Sequence, residues 1–322
     1  MAKKVDLKVG YSCNNNCIHC VVADNRALCQ ARGIEENLST SSLLAELADS
    51  RQSGCGSVVF TGGEPTLRND LPYLVHSALS LGYAVDIQTN GRALACWRYA
   101  RALCERAPLS FCVALHGSTA VVHDAVTSVT GSFFETVAGL RNLVRLGQGV
   151  AGKVVISKVN YRSLAGLCRF YAELGVTDIT LAFPHALGNA GRFFDEVVPL
   201  YSETTAPLKE ALETCRALGV TARTEAYPLC FLEGYESHAV ELHFYDEETE
   251  LRQLGHEHPV IDWTRARREN KMKFPACLSC RYDLICEGPW REYPAMRGCG
   301  EFHAVHGIKV AHPLAVLSER KA

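Results

Sequence analysis

Up to about residue 225 the chain alternates short β-type runs with longer helical patterns, and this alternation limits the fold more than any other feature. Strand-like runs fall at Val5–Val9, Ser57–Phe60, Ala84–Gln88, Ser110–Leu115, Val154–Val159 and Asp178–Phe183, rich in Val, Ile and Phe and bounded by Gly, Pro, Asn or Ser. Helical candidates lie between or after them at Ser42–Arg51, Leu71–Leu81, Cys96–Ala107, Phe133–Leu146, Ser163–Leu174 and Thr205–Leu218. Their apolar spacing fits a period of about 3.6, as in Val137, Leu140 and Val144 before Gly147. Ser132 followed by Glu135 reads as a capping box. Six strand–helix repeats imply an α/β fold with a parallel sheet and right-handed crossovers. Nearly continuous apolar strands imply cover on both faces, as in α/β barrels. Function in such sheets collects at the carboxyl ends of the strands.

After Val220–Thr224 the rhythm stops. Residues 226–303 are richer in Cys, His, Pro and charge, and hold too little apolar sequence for a sizeable core. A bound metal or cluster is the expected support for such a segment. The reading divides the chain into a barrel at 1–225, a small second domain at 226–303 and a tail or docking strand at 304–322. A formal net charge of −2 gives no reason to expect nucleic acid or an anionic membrane as partner. No apolar run reaches the roughly 18 residues needed to span a bilayer. The opening MAKKVDLKVG lacks the apolar core of a signal peptide, so a cytoplasmic location is expected.

The chain has fifteen cysteines. In a reducing cytosol, clustered cysteines are metal or cluster ligands more often than disulfides. Three lie within eight residues near the N-terminus, and five lie between Cys230 and Cys299. The other seven stand singly in apolar stretches and read as small buried hydrophobes.

The first group follows the first strand as YSCNNNCIHC, giving Cys13-x3-Cys17-x2-Cys20. Three thiolates at this spacing on a strand-end loop can wrap three irons of a [4Fe–4S] cube and leave the fourth open, the mark of a reactive rather than a structural site. A zinc site is the competing reading, although zinc loops favour paired Cys-x2-Cys halves. The second strand ends in Thr61-Gly62-Gly63-Glu64-Pro65, the third in Gln88-Thr89-Asn90-Gly91 and the fourth in Ala114-Leu115-His116-Gly117. Ser157, Lys158 and Asn160 end the fifth, and Gly188-Asn189-Ala190 follows the sixth.

This set resembles the radical S-adenosylmethionine (SAM) superfamily, whose defining motif is CxxxCxxC and whose second strand ends in GGEP. The resemblance implies a partial (β/α)6 barrel, with Cys13, Cys17 and Cys20 as ligands of a [4Fe–4S] cluster that binds SAM. It implies SAM contacts from Thr61, Gly62, Gly63 and Glu64, and further contacts from His19, Asn90, Ser157, Lys158 and Asn189. Two positions depart from the usual pattern. His19 stands where many relatives have an aromatic residue, and Ala114-Leu115-His116 stands where many have Ser-Leu-Asp. His116 therefore reads as a SAM contact, as a substrate-side residue or as a hydrogen-bonded structural histidine.

The second group reads ACLSCRYDLICEG, giving Cys277-x2-Cys280-x5-Cys286, with Cys230 upstream and Cys299 downstream. It resembles the SPASM/twitch extensions of radical SAM enzymes, which carry auxiliary clusters. The resemblance implies one auxiliary [4Fe–4S] cluster on Cys230, Cys277, Cys280 and Cys286, with Cys299 as the alternative fourth ligand; a structural zinc knot is the competing reading. Arg265, Arg267, Arg268, Lys271 and Lys273 read as a solvated face, and His256-Glu257-His258 as a solvated loop.

The function so implied is reductive cleavage of SAM to a 5′-deoxyadenosyl radical, which takes a hydrogen atom from a substrate. A peptide substrate, in maturation of a peptide natural product, leads. Radical oxidation or rearrangement of a small molecule in cofactor or antibiotic biosynthesis is the alternative. A non-catalytic iron–sulfur or zinc protein binding nucleic acid through the Arg265–Lys273 stretch is the alternative from another class. The expected partners are an external one-electron reductant such as flavodoxin or ferredoxin and, because the barrel starts near the N-terminus, a separate leader-peptide-binding protein.

Overall fold

In the computed structural model, which describes residues 3–245, 247–252 and 260–318, nine strands hydrogen-bond into one sheet. They are β1 (Lys3–Lys8), β2 (Cys55–Thr61), β3 (Ala84–Thr89), β4 (Ser110–Ala114), β5 (Gly149–Val155), β6 (Asp178–Ala182), β7 (Thr221–Glu225), β8 (Thr249–Arg252) and β9 (Ile261–Asp262). The spatial order is β7-β6-β5-β4-β3-β2-β1-β8-β9, so the first seven lie in chain order and the sheet stays open. All pairings are parallel except that of β9 with β8. Parallel neighbours need crossovers, and most of the anticipated helices fill that place within a few residues of their expected bounds. No helix among the described residues is long and apolar enough to cross a membrane.

The strands alternate instead of being apolar throughout. Val5, Leu7, Val58, Phe60, Ile87 and Phe111 are buried in one large core, while Asp6, Lys8, Asp86, Cys112 and Lys153 take the other face and keep part of their surface. A period of two with one polar face is what an α/β sheet shows when helices cover only one side.

Three sequence expectations change. The fifth strand starts at Gly149, five residues before the expected Val154, because Gly149, Ala151, Gly152 and Lys153 have little β propensity of their own. Tertiary contact selects them: a Cβ on Gly152 would lie 2.6 Å from the Tyr171 ring. The Tyr171 hydroxyl then accepts from the Leu115 N–H at 2.9 Å and reaches the Val113 carbonyl at 3.0 Å. Ile156–Val159 thus falls in the loop beyond the strand. Second, the sheet has more than the six expected strands: Thr221–Glu225, where the rhythm ends, pairs with β6 as a seventh parallel strand, and β8, from within residues 226–303, adds to the far side of β1. Third, Ser132 is no N-cap. Asp124 caps that helix by accepting from the N–H groups of Gly131 (2.7 Å) and Phe133 (2.9 Å) and from the Ser132 hydroxyl (2.8 Å). Glu135 turns instead to Arg92.

Helices Ala23–Arg32 and Ala120–Thr127 were not anticipated. In the C-terminal stretch, Arg281 donates its N–H to the Val305 carbonyl and accepts from the Val310 N–H, each at 2.8 Å, which fastens that segment to the rest of the protein. His256-Glu257-His258 lies outside the described residues.

Candidate functional site

The loop bearing Cys13, Cys17 and Cys20 leaves the carboxyl end of β1 and is held from several sides. Asn16 and Ile18 donate their N–H groups to the carbonyls of Thr127 (3.0 Å) and Val126 (2.9 Å), at the end of the helix Ala120–Thr127. Asn189 donates its N–H to the Cys20 carbonyl at 3.0 Å and its amide to the Cys17 carbonyl at 2.8 Å. Arg92 reaches the Asn14 carbonyl and Asn15 Oδ1 (2.8 Å), and Arg26 reaches the Asn15 carbonyl (3.3 Å) and Asn16 Oδ1 (2.9 Å). Sequence reading missed both arginines, because neither sits in a motif whose spacing names it.

The three thiols feel one another. Burial pushes the Cys13 thiol up to about 11, with Glu64 and Cys20 adding to the rise. Burial raises Cys17 further, with Cys20 and Cys13 adding, and burial raises Cys20. Such thiols stay protonated at neutral pH unless a metal displaces the protons. Three neighbouring, largely buried thiols on a clamped strand-end loop therefore fit the donor set of a [4Fe–4S] cluster with one iron left open.

The glycine turn after β2 lies against this loop. A Cβ on Gly62 would fall 2.2 Å from the Gly10 carbonyl oxygen, and one on Gly63 2.2 Å from that of Ser12. Gly63 and Glu64 each donate an N–H to those same carbonyls at 2.8 Å. The Glu64 side chain turns inward, where Oε1 accepts from the Thr66 N–H, the Thr66 hydroxyl and the Thr89 hydroxyl, and Oε2 from the Asn90 N–H at 2.6 Å. Burial raises the carboxyl above its usual range against the pull of those donors. Glu64 thus ties the ends of β2 and β3 together, and Oε2 is the oxygen with room for a further donor. Thr61 points elsewhere, donating to Asp6 at 2.6 Å and accepting from Lys8 at 3.1 Å.

Asn90 directs its amide to Asn14 Oδ1 (2.7 Å) and lies 4.0 Å from Cys13 Sγ. His116 is buried, with its N–H on His123 Nδ1 (3.1 Å) and its own Nδ1 accepting from the Val155 N–H (3.3 Å). The His19 ring stands edge-on to it, with centroids 4.7 Å apart, and His19 Nδ1 has no hydrogen-bond partner among the described residues. Burial holds His19 and His123 neutral, near 4, and His116 well below its ordinary value. Ser157 is fully buried, bonded to Asn160, whose amide reaches the His116 carbonyl at 3.0 Å. Lys158 turns away, donating to the Asp195 carbonyl at 2.6 Å. The fold therefore gathers His19, Gly62, Gly63, Glu64, Asn90, His116, Ser157 and Asn189 at the strand ends around the cysteine loop, and leaves the charged groups of Lys158 and Thr61's hydroxyl outside it.

Gly188 gives a direct check of this packing. Its φ of +56° suits glycine, and a Cβ there would lie 2.3 Å from the Cys20 carbonyl oxygen. Gly188→Ala is expected to cost about 2 kcal/mol or more of stability and to displace Cys20. The check is a lower thermal midpoint together with less iron retained per chain after reconstitution.

Cys230, Cys277, Cys280 and Cys286 line one small cavity with Pro228, Phe274, Tyr282 and Phe302. Leu229 donates its N–H toward Cys286 Sγ at 3.4 Å, and Phe274 toward Cys277 Sγ at 3.5 Å. Burial pushes Cys230 up to about 12, with Cys286, Cys280 and Cys277 adding to it. Cys299 is exposed and does not line the cavity. The basic stretch is largely neutralised within the protein: Arg265 pairs with Glu269, Arg267 and Arg268 with Glu287, Lys273 with Asp283, and buried Lys271 lies 3.8 Å from Glu241.

Comparison with known proteins agrees with the site. A model of the radical SAM superfamily matches residues 7–171. The chain is 30% identical over 208 residues to Fe-coproporphyrin III synthase of Methanosarcina barkeri, covering 64% of this chain and 50% of that protein. It is 32% identical over 168 residues to mycofactocin maturase MftC of Mycobacterium tuberculosis, covering 52% and 41%. The chain thus spans about half the length of the curated relatives it matches. The fold is shared with Streptococcus suis SuiB bound to its precursor peptide SuiA (TM-score 0.63, 14% identity, 94% of this chain and 74% of that one). It is also shared with SuiB bound to S-adenosylmethionine (TM-score 0.61, 15% identity, 94% and 76%). The cysteine loop, the glycine turn and the family match over half of the chain agree, and the chain belongs to the radical SAM superfamily of enzymes.

Proposed function

We infer that this enzyme acts on a peptide and carries a second iron–sulfur cluster on Cys230, Cys277, Cys280 and Cys286. The observation that carries the reading is the convergence of those four cysteines in one cavity, in a chain whose shared fold with peptide-bound SuiB extends over 94% of its length. Residues 226–303 then form the auxiliary-cluster domain and 1–225 the SAM barrel. The bound [4Fe–4S] cluster and SAM supply the hard chemistry, reductive cleavage to a 5′-deoxyadenosyl radical that takes a hydrogen atom from the substrate.

The chain's own residues position and shield. Cys13, Cys17 and Cys20 hold the cluster; the Gly62-Gly63 turn and Glu64 Oε2 border the space for the methionine ammonium; His19 and Asn189 flank the adenine side. Trp290, stacked on His185 at 3.8 Å and covered by Lys271 at 4.2 Å, joins the cysteine-rich segment to the loop after β6. An external one-electron reductant such as flavodoxin or ferredoxin provides the electron.

The test is anaerobic reconstitution with SAM, a reductant and a deuterated short peptide, chosen from any short open reading frames found beside the gene. Deuterium is expected in 5′-deoxyadenosine, read by mass spectrometry. Label that enters only from a small-molecule substrate would favour the second reading, radical oxidation of a cofactor precursor, to which the similarity to Fe-coproporphyrin III synthase points.

A further inference from the structure

The site contains a histidine whose orientation the SAM-binding motifs leave unexplained. A ring nitrogen of His116, a ring nitrogen of His19 and Cys17 Sγ all lie within 4.8 Å of one another. His116 Nδ1 accepts from the Val155 N–H at 3.3 Å, so that nitrogen carries no proton. The ring proton therefore sits on Nε2. The ring cannot readily swing away. The His116 N–H is held by His123 Nδ1 at 3.1 Å, and its carbonyl by the Asn160 amide at 3.0 Å. Cys17 is equally fixed, through Asn189 on its carbonyl and Ile18 on Val126.

We propose that His116 is a positioning residue for the electron: the Nε2–H of its ring, a nitrogen of which lies within 4.8 Å of Cys17 Sγ, stabilises the reduced cluster held by Cys13, Cys17 and Cys20. The donor matters because one-electron reduction places more negative charge on the cluster and its thiolates, and a fixed N–H lowers the energy of the more charged state. Hydrogen bonds to the sulfurs are among the determinants of cluster potential, and partners outside the ligand set tune metal sites in the same way. A neutral donor at this place does so without placing a net charge beside SAM, whose sulfonium is already cationic. His19 is the other ring within reach of Nε2–H, and its own variant separates the two acceptors.

The proposal rests only on the cluster being held by the three N-terminal cysteines, and iron and sulfide content measured on every sample separates loss of the cluster from loss of the donor. The experiment is an EPR-monitored redox titration of the reconstituted full chain without SAM, comparing wild type with His116→Phe, His116→Gln and His19→Phe; the second cysteine set is replaced by alanine in all four, so that one cluster is read. At the poise that half-reduces wild type, His116→Phe is expected to show a reduced-to-oxidised ratio about tenfold lower, equal to about 59 mV more negative for a one-electron couple. His116→Gln, which keeps an N–H donor, is expected to recover part of that loss, and His19→Phe to retain the wild-type ratio.

An unchanged ratio in fully loaded His116→Phe would overturn the proposal. So would a change that appears only when SAM is added, because His116 would then act on SAM. A shift in His19→Phe as large as that in His116→Phe would overturn it as well. Should His116→Phe fail to retain iron, pulsed EPR of wild type with 15N-histidine decides: a 15N coupling to the reduced SAM-free cluster that is lost in His116→Gln and unchanged in His19→Phe supports the contact, and a coupling kept in His116→Gln, lost in His19→Phe or absent from wild type overturns it.

Discussion

Replacing Cys13, Cys17 and Cys20 together with alanine is expected to bring SAM cleavage down to the background of reductant alone, a loss of more than about 10³-fold, or at least about 4 kcal/mol of barrier. No other residue type at these places can replace a thiolate, and no fourth cysteine joins this loop to compensate. The loss should be chemical rather than a failure to fold. The loop is held by Asn189, Arg26, Arg92 and the Val126 and Thr127 carbonyls, none of which needs the sulfurs. The check is 5′-deoxyadenosine by chromatography, with circular dichroism to show an intact fold. Full cleavage by the triple variant would remove these cysteines from the reaction.

The same thiols give cluster loading a direction with pH. Burial raises Cys13 to about 11 and lifts Cys17 and Cys20 as well, so each enters the site protonated and must lose its proton to bind iron. Loading, followed by iron content at fixed iron and sulfide, should therefore rise as pH increases across the neutral and mildly alkaline range.

The second large effect concerns the distal cysteines. Replacing Cys230, Cys277, Cys280 and Cys286 with alanine is expected to halve the iron of the reconstituted protein, from about eight to about four atoms per chain. It should leave SAM cleavage in place but stop substrate conversion. A Cys299→Ala variant should retain all of its iron, because Cys299 is exposed and lies outside the cavity that the other four line. Iron analysis and Mössbauer spectroscopy read both results. One zinc per chain in place of the second set of irons would assign the cavity to a structural metal instead.

Local signals account for what was legible. CxxxCxxC and GGEP are spacings within one loop each, so the cysteine loop and the glycine turn can be read without knowing what packs on them. β1 to β4 and β6 are legible as short runs rich in apolar residues and bounded by turn residues, whereas the alternation of their buried and polar faces comes from packing. β5 did not read as a strand at its true place because Gly152 was chosen by the Tyr171 ring rather than by β propensity. Asp124 was unreadable as a cap because it serves a helix that begins eight residues later, across a turn.

Short-range spacing and hydrophobic period in the sequence specify the family of chemistry, the parallel α/β fold, the CxxxCxxC loop and the second cysteine set. Tertiary structure alone decided that Glu64 binds Thr66, Thr89 and Asn90 within the protein, that Arg26 and Arg92 clamp the cluster loop, that Cys299 stands apart, and that β8 joins β1. It also decided the orientation of His116, through Val155, His123 and Asn160. Most of these partnerships join residues far apart in the chain. Burial favours a partner for most buried donors and acceptors, and which partner is within reach depends on how the strands are ordered, which no local spacing records.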